Sequence, residues 1–566
     1  MISAAVVAAA MGLVPSVAQA DGPSDRVLAA TAAKTDLSKS AVSSAAKSAT
    51  FSSPAERSVR TAAPAAPKAP AAKSAPSAVS GAAAAPTVAT VDNPDLGVGL
   101  YAFGTSAHGI QLESYVTSSV TAQIRVDIQW GDGQTTTEWV THTADVIKQH
   151  VYSEVGTYTV KVTVTDTTNN VAEVNQLAIT TAGTEFTPHA PTRLLDTRDG
   201  TGAASAAAVA PFGTVRVKVG GNSGIPAGVS AVALNLTVTN TASGGHITAY
   251  PSGEERPTTS NVNFVAGQTV PNMSIVPVGE DGYVELYNRS GGQADLIADV
   301  TGYFTSTAAS GYTSLDPVRI VDSREGQGTP AKRQINGQES FGVQITGKAG
   351  VPAGGVKAVA LNVTVTDPKS AGHLTVYPGG QQAPITSNLN FTAGLTVANS
   401  VIVPVGPDGK INVRNGAWAA TDVIVDVVGY YSTDSKAAYL PVAPTRLLDT
   451  RELGVGQMPG REILPLPLSF DEPSIKAYAL NATVTDTRGS GHLTVFPDPN
   501  TMEQYENGTA KPPVAPNSSN LNWSKDATVP NLVQASTGKT GIVDFFNGSW
   551  HPTDLVIDMF GLYDQN

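Results

Sequence analysis

The nonapeptide APTRLLDTR at residues 190–198 is written again at 443–451, and a looser copy, DPVRIVDSR, stands at 316–324. Arg193, Arg319 and Arg446 are therefore 126 and 127 residues apart. The text after each copy recurs as well. VALNLTVTN, VALNVTVTD and YALNATVTD come first, then GHITAYP, GHLTVYP and GHLTVFP, then SNVNF, SNLNF and SNLNW. Each unit closes on IADVTGYF, IVDVVGYY or VIDMFGLY. A period this long is a whole domain, not a propeller blade or a solenoid coil. Three copies of one domain fill residues 184–306, 307–433 and 434–566.

Within the first copy, strand-like runs fall at 193–196, 215–219, 232–239, 246–250, 261–264, 274–278, 283–287 and 295–304. Gly, Pro and Asn punctuate them, and no stretch carries a helical apolar stripe of useful length. Aromatics make up 6% of the chain and charged residues 14%, with 54 Gly and 38 Pro, a mixture that suits short strands and turns. The predicted fold class is all-β: a multidomain chain of β-sandwiches, the repeats jelly-roll-like.

Cysteine is absent, which excludes disulfides, thiolate metal sites and cysteine nucleophiles. Residues 91–566 hold 27 basic and 43 acidic side chains, a balance that repels phosphate backbones and argues against nucleic acid as a partner. Residues 4–18 are small and apolar and lead to Ala18-Gln19-Ala20, which reads as a signal peptide over 1–20 although no Lys or Arg precedes the run. The run is shorter than the roughly 20 apolar residues of a membrane span. Residues 21–95, rich in Ala, Ser, Pro and Lys, read as a disordered linker, because such a segment buries too little to offset its ordering entropy. Location is therefore expected to be extracellular, with association to the cell wall an option.

From 96 to 182 the pattern turns to strands, with IRVDIQW alternating before the turn Gly131-Asp132-Gly133 and TYTVKVTVTD at 157–166. The set Trp130-Gly-Asp-Gly, His150-x-Tyr152 and Gly156-Thr-Tyr-Thr-Val resembles a PKD domain, a small immunoglobulin-like sandwich. That resemblance implies an extracellular spacer or interaction module without catalysis of its own, with Asp132 capping its turn and His150 a hydrogen-bonded imidazole at the core edge. The triplicated unit resembles domains found in tandem in secreted actinobacterial proteins, which implies location more than activity.

Three recurrent positions carry chemistry worth weighing. Asp196, Asp322 and Asp449, each two residues before Arg198, Arg324 or Arg451 and so on one face of a strand, could take a cation, calcium being the candidate. A half-buried Arg–carboxylate pair closing the sandwich is the stronger reading, since charges inside domains are usually paired. Asn235, Asn362 and Asn481 read as buried amides satisfying backbone groups. His246, His373 and His492 have no second imidazole at ligand spacing, so a structural hydrogen bond outweighs a metal. No cofactor is otherwise called for, and no HExxH, GxSxG, P-loop or EF-hand signature is present.

The copies also diverge. Trp418 and Trp550 stand four residues before Asp422 and Asp554, where the first repeat has Gly291. A turn aromatic that one copy drops is poorly explained as core, and flat exposed rings are what a pyranose or a protein stacks on; a ring folded over the edge of its own domain is the equal alternative. The third repeat adds residues 501–516, which carry Tyr505, read as a binding loop or a tolerated insertion. Trp418, Trp550 and Tyr505 are thus the ligand-binding candidates. The leading reading is a secreted, non-catalytic surface protein whose tandem domains bind polysaccharide, cell wall or a partner protein with multivalence. A ligand-free spacer or coat protein is the alternative, and a secreted glycan hydrolase, for which no carboxylate pair can be named, the last.

Overall fold

The computed structural model describes residues 45–47, 49–62, 92–452 and 456–566. The expected signal peptide and most of the expected linker lie outside these residues.

Each repeat folds as predicted, into two four-stranded antiparallel sheets. In the first, Glu185–Asp196, Asp295–Thr305, Ala231–Thr239 and Val270–Pro277 pair in that order, and Thr214–Lys218, Tyr283–Ser290, Gly245–Pro251 and Val262–Phe264 form the opposite sheet. Numbered along the chain, the orders are 1-8-3-6 and 2-7-4-5, the connectivity of a jelly roll. The second and third repeats copy both orders. Each has its own core of buried Val, Leu and Ile between the sheets. In the sheet that holds each closing strand, the other face is buried too: all nine residues of Ala231–Thr239 are buried, which a free-standing sandwich would not show.

What covers that face is the next repeat. Asn235 Nδ2 donates to Ser387 O (2.7 Å), Asn362 to Ser519 O, and Asn481 to Ser260 O (2.7 Å). Asn399 donates to Asn235 Oδ1 (2.9 Å), Asn531 to Asn362 Oδ1 (3.1 Å) and Asn272 to Asn481 Oδ1 (3.0 Å). First binds second, second binds third, third binds first: the repeats close on themselves about a pseudo-threefold axis. At the ends of the closing strands Asp295–Thr305, Asp422–Ser432 and Asp554–Asp564, the side chains of Phe304, Tyr431 and Tyr563 meet with Phe186, Tyr312 and Tyr439 in one buried aromatic cluster. Tyr431 and Tyr563 share a hydroxyl–hydroxyl bond of 2.6 Å, and the Gln534 amide donates to both at 2.8 Å. The multidomain chain of sandwiches expected from the sequence thus has its three repeats packed into one closed body.

Ahead of it lies a first sandwich, with sheets of four and five strands around Trp130, Tyr152 and aliphatic side chains. Two of its edge strands, Thr50–Ser53 and Val59–Ala62, come from the segment expected to be a disordered linker, which corrects that expectation for residues 50–62. Backbone pairing to the edges Gly97–Gly104 and Val171–Thr180 orders a stretch whose composition gives no sign of it. Asp132 and His150 stand as the sequence suggests. Asp132 Oδ1 accepts from Gln134 N (2.9 Å), and its other oxygen meets His150 Nε2 at 2.8 Å, with the imidazole stacked on Trp130. This sandwich docks on the body formed by the three repeats through Ala107 N to Asp564 Oδ2 (3.0 Å) and His108 N to Asn566 O (2.6 Å). No helix among the described residues is long and apolar enough to cross a membrane.

Candidate binding surface

The turn before each closing strand is held by one asparagine. Asn415 directs its amide at the carbonyls of Ile335 (3.1 Å), Asn336 (3.1 Å) and Ala419 (2.9 Å), while its oxygen accepts from Ala417 N. Asn547 does the same for Met458, Pro459 and His551, and Asn288 for Val209, Ala210 and Gly292. All three are fully buried. Each therefore clips two turns together, the one before the closing strand and the one that leads into the opposite sheet.

Trp418 and Trp550 ride on these clipped turns at 89% and 83% exposure. Beneath them, the histidines of the second and third GH motifs, His373 and His492, each pack against a glycine. A Cβ on Gly416 would lie 2.2 Å from His373 Nε2, and one on Gly548 2.2 Å from His492 Cε1, so close approach rather than backbone freedom requires glycine there. The histidines are thus packing groups. The hydrogen bond expected of them is not seen in the first repeat, where His246 Nε2 is buried without a partner. Burial, with Arg289 and Arg446 near, lowers His246 to about 4, which keeps that ring neutral. Gly416→Ala is expected to force His373 aside and cost about 1–3 kcal/mol, read as a lower melting temperature. An unchanged melt would show that the turn yields freely.

The facing turn supplies a further support. Gln338 Nε2 donates to the carbonyls of Gly416 (2.8 Å) and Ala417 (2.9 Å), and Arg461 donates to Gly548 O (3.1 Å) with its guanidinium 5.3 Å from the Trp550 ring centroid. Both tryptophans are presented by backbone that is fixed before any ligand arrives.

The carboxylates read as weak metal candidates are engaged elsewhere. Asp196 accepts from Arg198 Nε and Nη2 and from Arg193 Nη1, and Arg193 bridges on to the buried Asp299. Asp322 and Asp449 repeat the network with Arg319, Arg324 and Asp426, and with Arg446, Arg451 and Asp558. Hydrogen bonds from Arg198 and Arg324 hold Asp196 and Asp322 below the usual carboxylate range. Burial outweighs the arginine contacts at Asp299, Asp426 and Asp558 and pushes them up. Two guanidiniums on each of Asp196, Asp322 and Asp449 make a poor cation site; the arrangement is that of paired internal charge. Among the described residues no cluster of three or more His, Asp or Glu is placed to hold a metal.

Tyr505 differs from the two tryptophans. It sits on a short helix, Met502–Glu506, half-buried, with its hydroxyl donating to Asp498 Oδ2. Asp498 pairs with the wholly buried Asp544 in the third repeat alone: Ser252 and Gly379 stand where Asp498 does, and Glu285 and Asn412 where Asp544 does. Tyr505 thus anchors the extra segment to its own domain and offers no open ring. The sequence reading missed this pair, since nothing marks two carboxylates 46 residues apart as neighbours.

No family model matches the chain, and no curated protein does. Among solved structures, the chain is similar to carbohydrate-binding modules of the β-sandwich superfamily at 13% identity, over 34% of this chain and 91% of theirs, with a TM-score of 0.14. A SusE-like protein matches at 10% identity over 34% and 94%, with a TM-score of 0.11. A triple jelly-roll turret protein of an archaeal virus matches at 9% identity over 68% and 90%, with a TM-score of 0.14. TM-scores this low carry no inference about function.

Proposed function

We propose that this is a secreted, non-catalytic surface protein that binds polysaccharide through the tryptophan turns of its jelly-roll repeats. The observation that carries the reading is the presentation of Trp418 and Trp550: two nearly fully exposed rings on structurally equivalent, rigidly clipped turns. Neither ring contributes to a core, and a flat ring held in advance loses little entropy when a sugar face stacks on it. The PKD-like first sandwich and export from the cell belong to the same proposal.

The full chain should be retained on at least one of insoluble cell wall, chitin, cellulose or starch. Trp418→Ala with Trp550→Ala should abolish retention while shifting stability by no more than about 0.5 kcal/mol, as for exposed surface sites. Retention of the double variant at the wild-type level would remove these turns as the site. Running the panel with and without calcium decides whether a cation takes part.

A further inference from the structure

We infer that Phe212 is the third aromatic of the binding surface, so that the three repeats present one ring each at a single end of the closed body. This rests on the polysaccharide reading of Trp418 and Trp550 and adds a residue and a geometry to it.

Sequence alignment hides the correspondence, because the first repeat has Gly291 where the others have tryptophan. Yet Phe212, Trp418 and Trp550 are the three most exposed aromatic rings among the described residues, Phe212 at 63%. The Asn288 clip joins the turn carrying Phe212, through Val209 and Ala210, to the turn carrying Gly291, through Gly292. The ring has crossed from one clipped turn to its neighbour. In the second and third repeats the position of Phe212 is held by Gln338 and Arg461, the polar residues that support the tryptophan turns. With no tryptophan to support, the first repeat places an aromatic there.

Nothing in folding accounts for that choice. Phe212 has φ of +55°, a left-handed conformation that is unfavourable for a bulky side chain, and its exposure returns little burial in exchange.

The closed body puts the three rings at one end. The asparagine contacts lie on strands paired to the closing strands, with Asn235, Asn362 and Asn481 opposite Asp299, Asp426 and Asp558. The aromatic cluster of Phe304, Tyr431 and Tyr563 lies further along those closing strands in every repeat, so the three run the same way along the axis. Trp550 precedes Asp554–Asp564 by four residues, whereas Asp564, about 33 Å further along at 3.3 Å per residue, holds the first sandwich. The rings face away from that sandwich. Three rings around an axis suit an insoluble polysaccharide that offers many sugar faces at once, each contact weak and their sum strong.

The test uses the full chain on whichever polysaccharide of the panel retains the wild type. Phe212→Ala should weaken retention about tenfold, the loss of one contact of three. Adding Gly291→Trp to Phe212→Ala should restore it, since a Cβ at Gly291 has only Ser243 Oγ within 4 Å, at 3.9 Å, and the residue lies outside the left-handed region. Full retention by Phe212→Ala, with the tryptophan double variant released, would overturn this inference and leave the proposed function standing. Restoration would also exclude a merely structural role for Phe212. If no polysaccharide retains the wild type, both readings fall together.

Discussion

Asp544→Asn is expected to stabilise the protein at neutral and alkaline pH and to remove a decline in stability that the wild type shows as pH rises from about 4 to about 9. Both carboxyl oxygens of Asp544 are buried with no N–H or hydroxyl donating to them. Burial and the neighbouring Asp498 push its pKa up to about 9. Asp498 by contrast is filled by donors from the Asn500 backbone and side chain and from Tyr505. In the unfolded chain an aspartate titrates near about 3.9. Below that pH, Asp544 is protonated in both states and costs nothing. Between about 4 and 9 the unfolded chain releases a proton that the folded one keeps, so stability falls with rising pH and levels off above the folded value. Asparagine is neutral throughout and still offers a donor to Asp498. The gain at pH 8 should be on the order of 5 kcal/mol. Denaturation curves from pH 4 to 9 decide it: parallel pH profiles for wild type and variant would show that Asp544 does not hold its proton.

Asn399→Ala is expected to cost about 3–5 kcal/mol, because each buried polar group left without a partner costs about 1–3 kcal/mol. The amide of Asn399 reaches Asn235 Oδ1 across the interface and Asn388 O within its own repeat, and its oxygen accepts from Met273 N at 3.1 Å. Truncation leaves all three groups dry. Asn531 and Asn272 hold the same places at the other two interfaces, accepting from Ser400 N (2.9 Å) and Leu532 N (3.2 Å). Because one aromatic cluster joins the repeats, the loss should move a single unfolding transition rather than detach one domain. A calorimetric scan in which the enthalpy of the three repeats splits into separate transitions, or in which nothing shifts, would contradict a closed body that melts as one.

Much of each repeat was written in its residues. Period-two alternation and Gly/Pro/Asn turns placed eight strands in the first repeat, and eight strands form there. The sequence put Asp196 and Arg198 on one face of a strand, and they do pair, but the strand ends at Asp196 and Arg198 folds back from the turn that follows, its backbone N–H also donating to Asp196 Oδ1. Gly291 took Trp418 and Trp550 out of the core, since a core position would not tolerate loss of the ring, but left open whether each ring folds over its own domain edge; their 89% and 83% exposure shows that they do not.

The rest depended on contacts across more than a hundred residues. Asn235 announced itself as a buried amide, but its partner, Ser387, is 152 residues away in another copy of the same fold, and no local pattern points there. Ala231 and Ala233 look like ordinary strand residues, yet both lie in the cluster shared by all three repeats. Tyr505 promised a ring and delivers a hydroxyl, because Asp498 waits beneath it. Phe212 aligns with Gln338 and Arg461, not with Trp418, and takes its place among the exposed rings only when Asn288 brings the two turns together. Strand identity and chain order are local properties that hydrophobic periodicity encodes. Ring closure, the protonated Asp544 and the third aromatic arise from surfaces that exist only after three copies have packed.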